Sequence, residues 1–135
     1  MHVTETILRV RYAETDRMGY VYYGNYATYF EVARVDCMKA LGFSYRELED
    51  QGILMPVVSY NIKYLKPAFY DDALTIRTSI QELPEARITF HYETFNEKGE
   101  KVNIAETTLF FLNKETNRPT RAPEEMVDRL RDVLS

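Results

Sequence analysis

The segment that most constrains the fold is a predicted helix over residues 25–41, because apolar side chains occupy most of its circumference. One face carries apolar residues at spacings of three and four: Tyr26, Phe30, Ala33, Cys37, Ala40 and Leu41. Four more apolar residues lie off that face: Tyr29, Val32, Val35 and Met38. A helix that is apolar nearly all round is usually buried on several sides. We therefore expect another layer of the protein to surround this helix, with Asn25 as its N-cap and Gly42 as its left-handed C-terminal residue.

Alternation of apolar and polar residues predicts that the surrounding layer is an antiparallel sheet. The predicted strands cover residues 4–12, 55–67, 73–83, 86–95 and 101–113, and a hairpin turn has Gly99 at its tip. A short helix is expected to end at Gly52, and a C-terminal helix to begin near Pro123 with Met126 or Val127, Leu130 and Leu134 inward. The predicted class is α+β, a curved five-stranded antiparallel sheet wrapped around a central helix in a single domain, residues 1–135. Apolar residues on both faces of "TTLFFL" predict that another subunit covers the outer face or an edge.

Composition excludes several classes of function. A net charge of −4 argues against a general nucleic-acid binder. The single cysteine permits no intramolecular disulfide, and with two histidines it makes a zinc cluster unconvincing. We see no cofactor motif, no signal peptide and no apolar run long enough to cross a bilayer, so a cytoplasmic protein without cofactor, metal or membrane segment is expected. His91 lies within a predicted strand, which disfavours its use in a Ser-His-Asp triad.

The stretch "ETDRMGYVYYGNYATYFEVAR", residues 14–34, holds the candidate site. Unpaired N–H groups in the first turn of a helix can polarise a carbonyl and stabilise the oxyanion that forms when it is attacked. Gly24 lies just before the helix and would let a ligand approach the backbone. Asp16 lies a few residues upstream and could attack an activated acyl group or deprotonate water. The alternative is that Asp16 is an ordinary turn residue and that the tyrosines are packing.

The same residues resemble the start of the hot-dog-fold acyl-CoA thioesterases, in the 4-hydroxybenzoyl-CoA thioesterase superfamily. The motif is Asp16, two residues, Gly19, the apolar run 20–22, then Tyr23, Gly24 and Asn25-Tyr26. The segment "VVSYNIKYLKPAFYDDALTIRT" is similar to the family's second and third strands, so the resemblance extends at least from Thr4 to Asn113.

The resemblance implies a homodimer or homotetramer that hydrolyses an acyl-CoA or acyl-carrier-protein thioester. It implies that Asp16 is the catalytic nucleophile or general base, and that the backbone N–H of Tyr23 or Gly24 polarises the carbonyl. The other motif residues are then expected to contact the substrate: Gly19, Val21, Tyr22, Asn25 and Tyr26. Two rival functions stay open, a hot-dog hydratase and a module that binds acyl-CoA or acyl-carrier protein without turnover.

Two details of the resemblance affect the chemistry. Many aliphatic-acyl relatives carry His where this chain has Tyr23, and the 4-hydroxybenzoyl branch carries Tyr. Without an imidazole, proton transfer depends more heavily on Asp16. Phosphates of CoA need cations, and the candidates are Lys63, Lys66, Arg87, Arg118 and Arg121. The alternative is that each of them is an ordinary solvated surface charge. Along the helix, Glu31 and Arg34 are three residues apart and are expected to pair with each other.

Overall fold

The computed structural model describes residues 1–134, in which an antiparallel sheet encloses one long helix. The strands are β1 (His2–Arg9), β2 (Ile53–Leu54), β3 (Val57–Tyr64), β4 (Ala73–Ile80), β5 (Arg87–Phe95), β6 (Lys101–Asn113) and β7 (Arg118–Thr120). The helices are α1 (Asn25–Ala40), α2 (Tyr45–Asp50) and α3 (Glu124–Leu134). The α+β class is therefore confirmed, and every strand pairing is antiparallel.

The five predicted strands correspond to β1, β3, β4, β5 and β6, which form the order β1-β4-β5-β6-β3. Two short strands were not predicted: β2 and β7 both pair with the last residues of β6. The prediction for β1 was also too long at its C-terminal end. The strand stops at Arg9, because the carboxylate of Glu14 accepts a hydrogen bond from the Arg11 N–H and the chain turns there.

Helix α1 packs against β1 and β4 and makes ring contacts with side chains of β3 and β5. The Phe30 ring stacks on Tyr92 of β5 at a centroid distance of 4.4 Å. A sheet that touches one helix through four of its strands has to curve around it, which agrees with the expected fold. Cys37 lies at the centre of this packing with 0% of its surface exposed, and burial raises the pKa of its thiol to about 11.

Helix α1 is apolar around most of its circumference, but it is not buried on every side. Its buried residues are Tyr26, Tyr29, Phe30, Ala33, Arg34, Cys37 and Met38. Ala40, which we placed inward, is exposed, and Val32 is 41% exposed. Helix α1 therefore has a buried stripe and one open side in the isolated chain.

The predicted ion pair between Glu31 and Arg34 is wrong: no such pair occurs within residues 1–134. Arg34 is 7% exposed and donates instead to the Tyr92 hydroxyl across 3.2 Å. That hydroxyl lies 2.6 Å from the Thr107 hydroxyl. The guanidinium is turned into the sheet, and the exposed Glu31 carboxylate stays outside it.

Strand β3 pairs with β6 on one side only, so its other edge carries unpaired backbone groups. The strand is exposed along nearly its whole length although it contains Val57, Val58, Tyr60 and Tyr64. An unpaired edge with exposed apolar side chains is typical of a surface that another chain covers. No helix described in residues 1–134 is long and apolar enough to cross a membrane.

Candidate active site

Asp16 lies at the head of a tight turn between β1 and α1. Its N–H donates to the Tyr20 carbonyl across 2.8 Å, and its carbonyl accepts from the Gly19 N–H across 3.0 Å. One carboxylate oxygen, Oδ1, accepts from the Met18 N–H at 2.9 Å and from the Tyr20 N–H at 3.2 Å. Gly19 has φ of +81°, the left-handed conformation that glycine adopts without strain. The turn therefore fixes one oxygen of Asp16, while Oδ2 has no hydrogen-bond partner among the described residues.

Asp16 lines a cleft of about 440 Å³ between this turn, the start of α1 and the segment after β3. On its other side Asp16 borders a second cleft of about 590 Å³ with Arg17. Most of the wall of the first cleft is apolar or aromatic. Its lining residues are Asp16, Met18, Tyr20, Val21, Tyr23, Tyr26, Tyr64, Leu65, Lys66 and Pro67. The turn role and the site role that we weighed as alternatives for Asp16 are thus compatible, because the same side chain closes the turn and borders the cleft.

The start of α1 supplies hydrogen-bond donors beside this cleft. The N–H groups of Asn25 and Tyr26 are already bonded to the carbonyls of Tyr22 and Tyr23. The N–H groups of Tyr23 and Gly24 have no acceptor among the described residues. Free N–H groups at a helix N-terminus carry a partial positive charge and are suited to bind a developing oxyanion.

Two expectations for the helix start need correction. Gly24, not Asn25, occupies the N-cap position, and Asn25 is the first helical residue. The amide of Asn25 points back and donates to the Glu14 carbonyl across 2.8 Å. The space beside Gly24 is not open to a ligand here, because a β-carbon on it would lie 2.7 Å from Cε2 of Tyr22. Gly24 therefore makes room for the ring of Tyr22, which does not line the cleft.

Aromatic side chains form much of the cleft wall and contact other rings. Tyr20 packs against Phe69 at a ring distance of 5.4 Å, and Tyr26 lies 5.8 Å from Tyr64. Burial raises the pKa of Tyr26, so its hydroxyl stays protonated at neutral pH. Val21 is 6% exposed and anchors the cleft floor in the core.

The structure separates the basic residues that we considered for phosphate binding, and Arg118 and Arg121 line neither of the two clefts described below. Lys66 lines the cleft and forms an ion pair with Glu100, whose pKa is lowered by the hydrogen bond from Lys66. Lys63 faces a different cleft, of about 570 Å³, on the other face of the sheet. Arg87 begins β5 opposite Phe110 and lines neither cleft. Of these three, only Lys66 lines the cleft with Asp16.

Neither histidine reaches the candidate site. His2 lies 2.9 Å from the Cys37 carbonyl, and His91 pairs with Glu106 at 3.7 Å on the outer face of the sheet. Within residues 1–134 no group of three or more His, Cys, Asp or Glu side chains could hold a metal ion. The titratable carboxylate that borders the cleft is Asp16.

Sequence reasoning missed Glu14, which links the Asp16 turn to α1. Its side chain is 12% exposed and contacts Arg11 at 3.0 Å. It also accepts from the Tyr29 hydroxyl at 2.8 Å. Burial raises the pKa of Glu14, but the hydrogen bonds from Arg11 and Tyr29 outweigh burial and leave the pKa lowered. The spacing of three between Arg11 and Glu14, which resembles a capping box, was the signal that could have drawn attention to it.

A family model described as the thioesterase-like superfamily matches residues 10–130 of the chain. The chain is 39% identical over 119 residues to a protein of Bacillus subtilis (strain 168) described as the putative acyl-CoA thioesterase YneP, covering 88% of this chain and 86% of that one. It superposes on the DHNA-CoA thioesterase from Staphylococcus aureus with a TM-score of 0.93 and 40% identity, covering 98% of this chain and 91% of that one.

A third comparison concerns the fold alone. A variant of 4-hydroxybenzoyl CoA thioesterase in complex with 4-hydroxybenzoyl CoA superposes with a TM-score of 0.87 at 22% identity, covering 96% of this chain and 99% of that one. Together with the Staphylococcus aureus structure, it confirms that the sheet and helix form the expected hot-dog fold.

Proposed function

This chain belongs to the thioesterase-like superfamily, and from that premise we propose how it works: it hydrolyses acyl-CoA thioesters, with Asp16 as its catalytic carboxylate. The observation that supports this role is the shared cleft. Asp16 and Tyr23, at the start of α1, line the same aromatic cavity of about 440 Å³. A carboxylate and an oxyanion-binding helix end on one cavity are what thioester hydrolysis needs.

The thioester carbonyl oxygen would accept hydrogen bonds from the free N–H groups of Tyr23 and Gly24. As the carbonyl is attacked, negative charge develops on that oxygen, and the helix end stabilises it more than it stabilises the neutral carbonyl. Because Tyr22 covers Gly24, its ring, which is 46% exposed, would move aside for a ligand that uses the Gly24 N–H.

Asp16 would act through Oδ2, since Oδ1 is held by two backbone N–H groups. As a general base it takes a proton from water, and the hydroxide adds to the carbonyl carbon. The tetrahedral intermediate then collapses, the carbon–sulfur bond breaks, and the CoA thiolate takes the proton back from Asp16. As a nucleophile it would instead attack the carbonyl carbon and expel the CoA thiolate by breaking the carbon–sulfur bond, which leaves a mixed anhydride. Water then hydrolyses the anhydride to the free acid and the Asp16 carboxylate, and the thiolate takes the proton released. No histidine lines the cleft to share the proton, which also disfavours the hydratase alternative.

The residues that line the cleft indicate how the acyl group and the CoA phosphates would bind. The tyrosines of the cleft walls are suited to pack against an acyl group through their rings, and Val21 lines the same cleft. Gly19, Tyr22 and Asn25, which we expected to contact the substrate, are not among its lining residues. Lys66 is our candidate for a phosphate of CoA, because it is the basic residue that lines the cleft with Asp16 and Tyr23. A ligand phosphate would have to compete with Glu100 for its ammonium group.

We further propose that a second copy of the chain covers the open edge of β3. The exposed apolar side chains of β3 and the open side of α1 support this, since both would otherwise remain in water. The aromatic cleft includes Tyr64 at the end of β3, so such a partner would also border the candidate site.

The decisive experiment is Asp16→Asn, assayed by thiol release from aromatic and aliphatic acyl-CoAs. The amide oxygen of Asn can still accept from the Met18 and Tyr20 N–H groups, so we expect the fold to persist while kcat falls by about 10²–10⁴-fold. Asp50→Asn makes the same chemical change at an exposed position outside the cleft and should leave kcat unchanged.

Parental turnover by Asp16→Asn would refute the assignment of the carboxylate. Tight binding of acyl-CoA by the parent protein, with no thiol released over hours, would favour the binding-module alternative instead.

A further inference from the structure

We propose that Glu14 is a positioning residue that fixes the Asp16 turn at a constant distance and orientation relative to the first turn of α1. The inference rests on the proposed function, since it matters only if Asp16 and the start of α1 act on one substrate. These two parts of the site belong to different elements, and the segment between them is a loop. Something has to fix their separation, and the contacts of Glu14 do so.

The backbone of Glu14 makes the first connection. Its carbonyl oxygen accepts the Tyr22 N–H at 2.9 Å and the Asn25 side-chain amide at 2.8 Å. A bridge between Thr15 and Val21 continues the pairing one residue further along the loop. The two short segments on either side of the Asp16 turn pair with each other, and the Glu14 carbonyl bonds them directly to the start of α1.

The side chain of Glu14 makes the second connection, one helical turn further on. Oε1 accepts the Arg11 N–H and the Tyr29 hydroxyl, each at 2.8 Å. Oε2 accepts from the Arg11 guanidinium, through Nε at 3.2 Å and Nη2 at 3.0 Å. Four donors converge on one carboxylate, and one of them belongs to the buried face of α1.

The ionisation state of the Glu14 carboxyl group supports its role as a positioning residue. The pKa of Glu14 is lowered in spite of burial, so the side chain is ionised at neutral pH. Its two oxygens can then accept all four hydrogen bonds from Arg11 and Tyr29. Burial and the nearby Glu14 carboxylate raise the pKa of Tyr29, which keeps the phenol protonated and able to donate. Hydrogen bonds to an ionised acceptor are stronger than those between neutral groups, so the connection is rigid.

Glu14 does not line the cleft, so we expect it to act through the positions of Asp16 and the helix start and not through contact with the reacting atoms. Displacing a catalytic group by about 1 Å can cost on the order of a hundredfold in rate. A loosened connection should therefore lower kcat while leaving the aromatic walls that bind the acyl group, and hence KM, nearly unchanged.

The test uses Tyr29→Phe, which removes one donor and no part of the cleft, together with Glu14→Gln and Glu14→Ala. The matched control is Tyr70→Phe, because the exposed hydroxyl of Tyr70 has no hydrogen-bond partner in the described chain. All variants are assayed well below their unfolding temperatures. We expect kcat to fall about tenfold in Tyr29→Phe with KM changed less than twofold, and no change in Tyr70→Phe.

Glu14→Gln keeps an oxygen for Tyr29 and Arg11 and should retain more activity than Glu14→Ala. The double variant Glu14→Gln with Tyr29→Phe should lose less than the product of the two single losses, because both break the same connection. Parental kcat in Tyr29→Phe, or multiplicative losses in the double variant, overturns the inference. If Asp16→Asn also keeps parental kcat, the proposed function itself has failed; if Asp16→Asn is inactive, only the role of Glu14 is refuted.

Discussion

Replacing Gly19 by Ala tests whether the conformation of the Asp16 turn matters to the enzyme. Gly19 has φ of +81°, and a β-carbon there would meet no heavy atom within 4 Å. Steric crowding therefore contributes nothing, and the whole cost is that of a left-handed backbone for a residue with a β-carbon. That cost is about 1–2 kcal/mol. In a chain of this length it should lower the unfolding temperature by roughly 3–8 °C.

The turn has one way to avoid this cost, and it would damage the site. If residue 19 relaxes to a right-handed conformation, the Met18 and Tyr20 N–H groups no longer converge on Oδ1 of Asp16. We therefore expect Gly19→Ala to lose stability and turnover together. The measurements are thermal unfolding followed by circular dichroism and kcat for one acyl-CoA.

Gly19→Asn is the matched control, because asparagine tolerates the left-handed region better than alanine. It should recover part of the stability and of the kcat that alanine loses, although it is the larger residue. Equal unfolding temperatures for the parent and the alanine variant would refute the argument, as would an asparagine variant less stable than the alanine one.

Two further predictions concern the helix start and the sheet edge. Gly24→Ala should change the free energy of unfolding by less than about 1 kcal/mol, because φ of −63° suits alanine and the exposed Tyr22 ring can move away from the new methyl group. A drop in unfolding temperature as large as that of Gly19→Ala would contradict this. Sedimentation velocity should give a dimer or tetramer, since one edge of β3 is unpaired. A monomer at micromolar concentration would refute the proposal that a second copy of the chain covers this edge.

The sequence predicted the main elements because their signals are local. Apolar spacing placed α1, and alternation placed the five long strands, as the buried positions of Ile88, Phe90 and Tyr92 illustrate. The short strands β2 and β7 have two and three residues, too few for a period to be visible. They exist because the end of β6 offers them partners.

The candidate site was predictable only in part. Asp16 and Gly19 stand at a recognisable spacing, and their turn is closed by bonds within five residues. The ring of Tyr22 over Gly24 and the amide of Asn25 on Glu14 depend on how the loop meets the helix in space. Arg34 likewise could not be placed from spacing alone, because its partner Tyr92 is 58 residues away.

The buried thiol of Cys37 has a practical consequence for every measurement above. With no exposed surface and a pKa of about 11, it should not react with a thiol-specific dye while the core is closed. Released CoA would then be the thiol that the dye counts during turnover. Without substrate, the rate of slow labelling of Cys37 would instead report how often α1 separates from its sheet. A single reagent would thus distinguish a variant that has lost chemistry from one whose core opens too often.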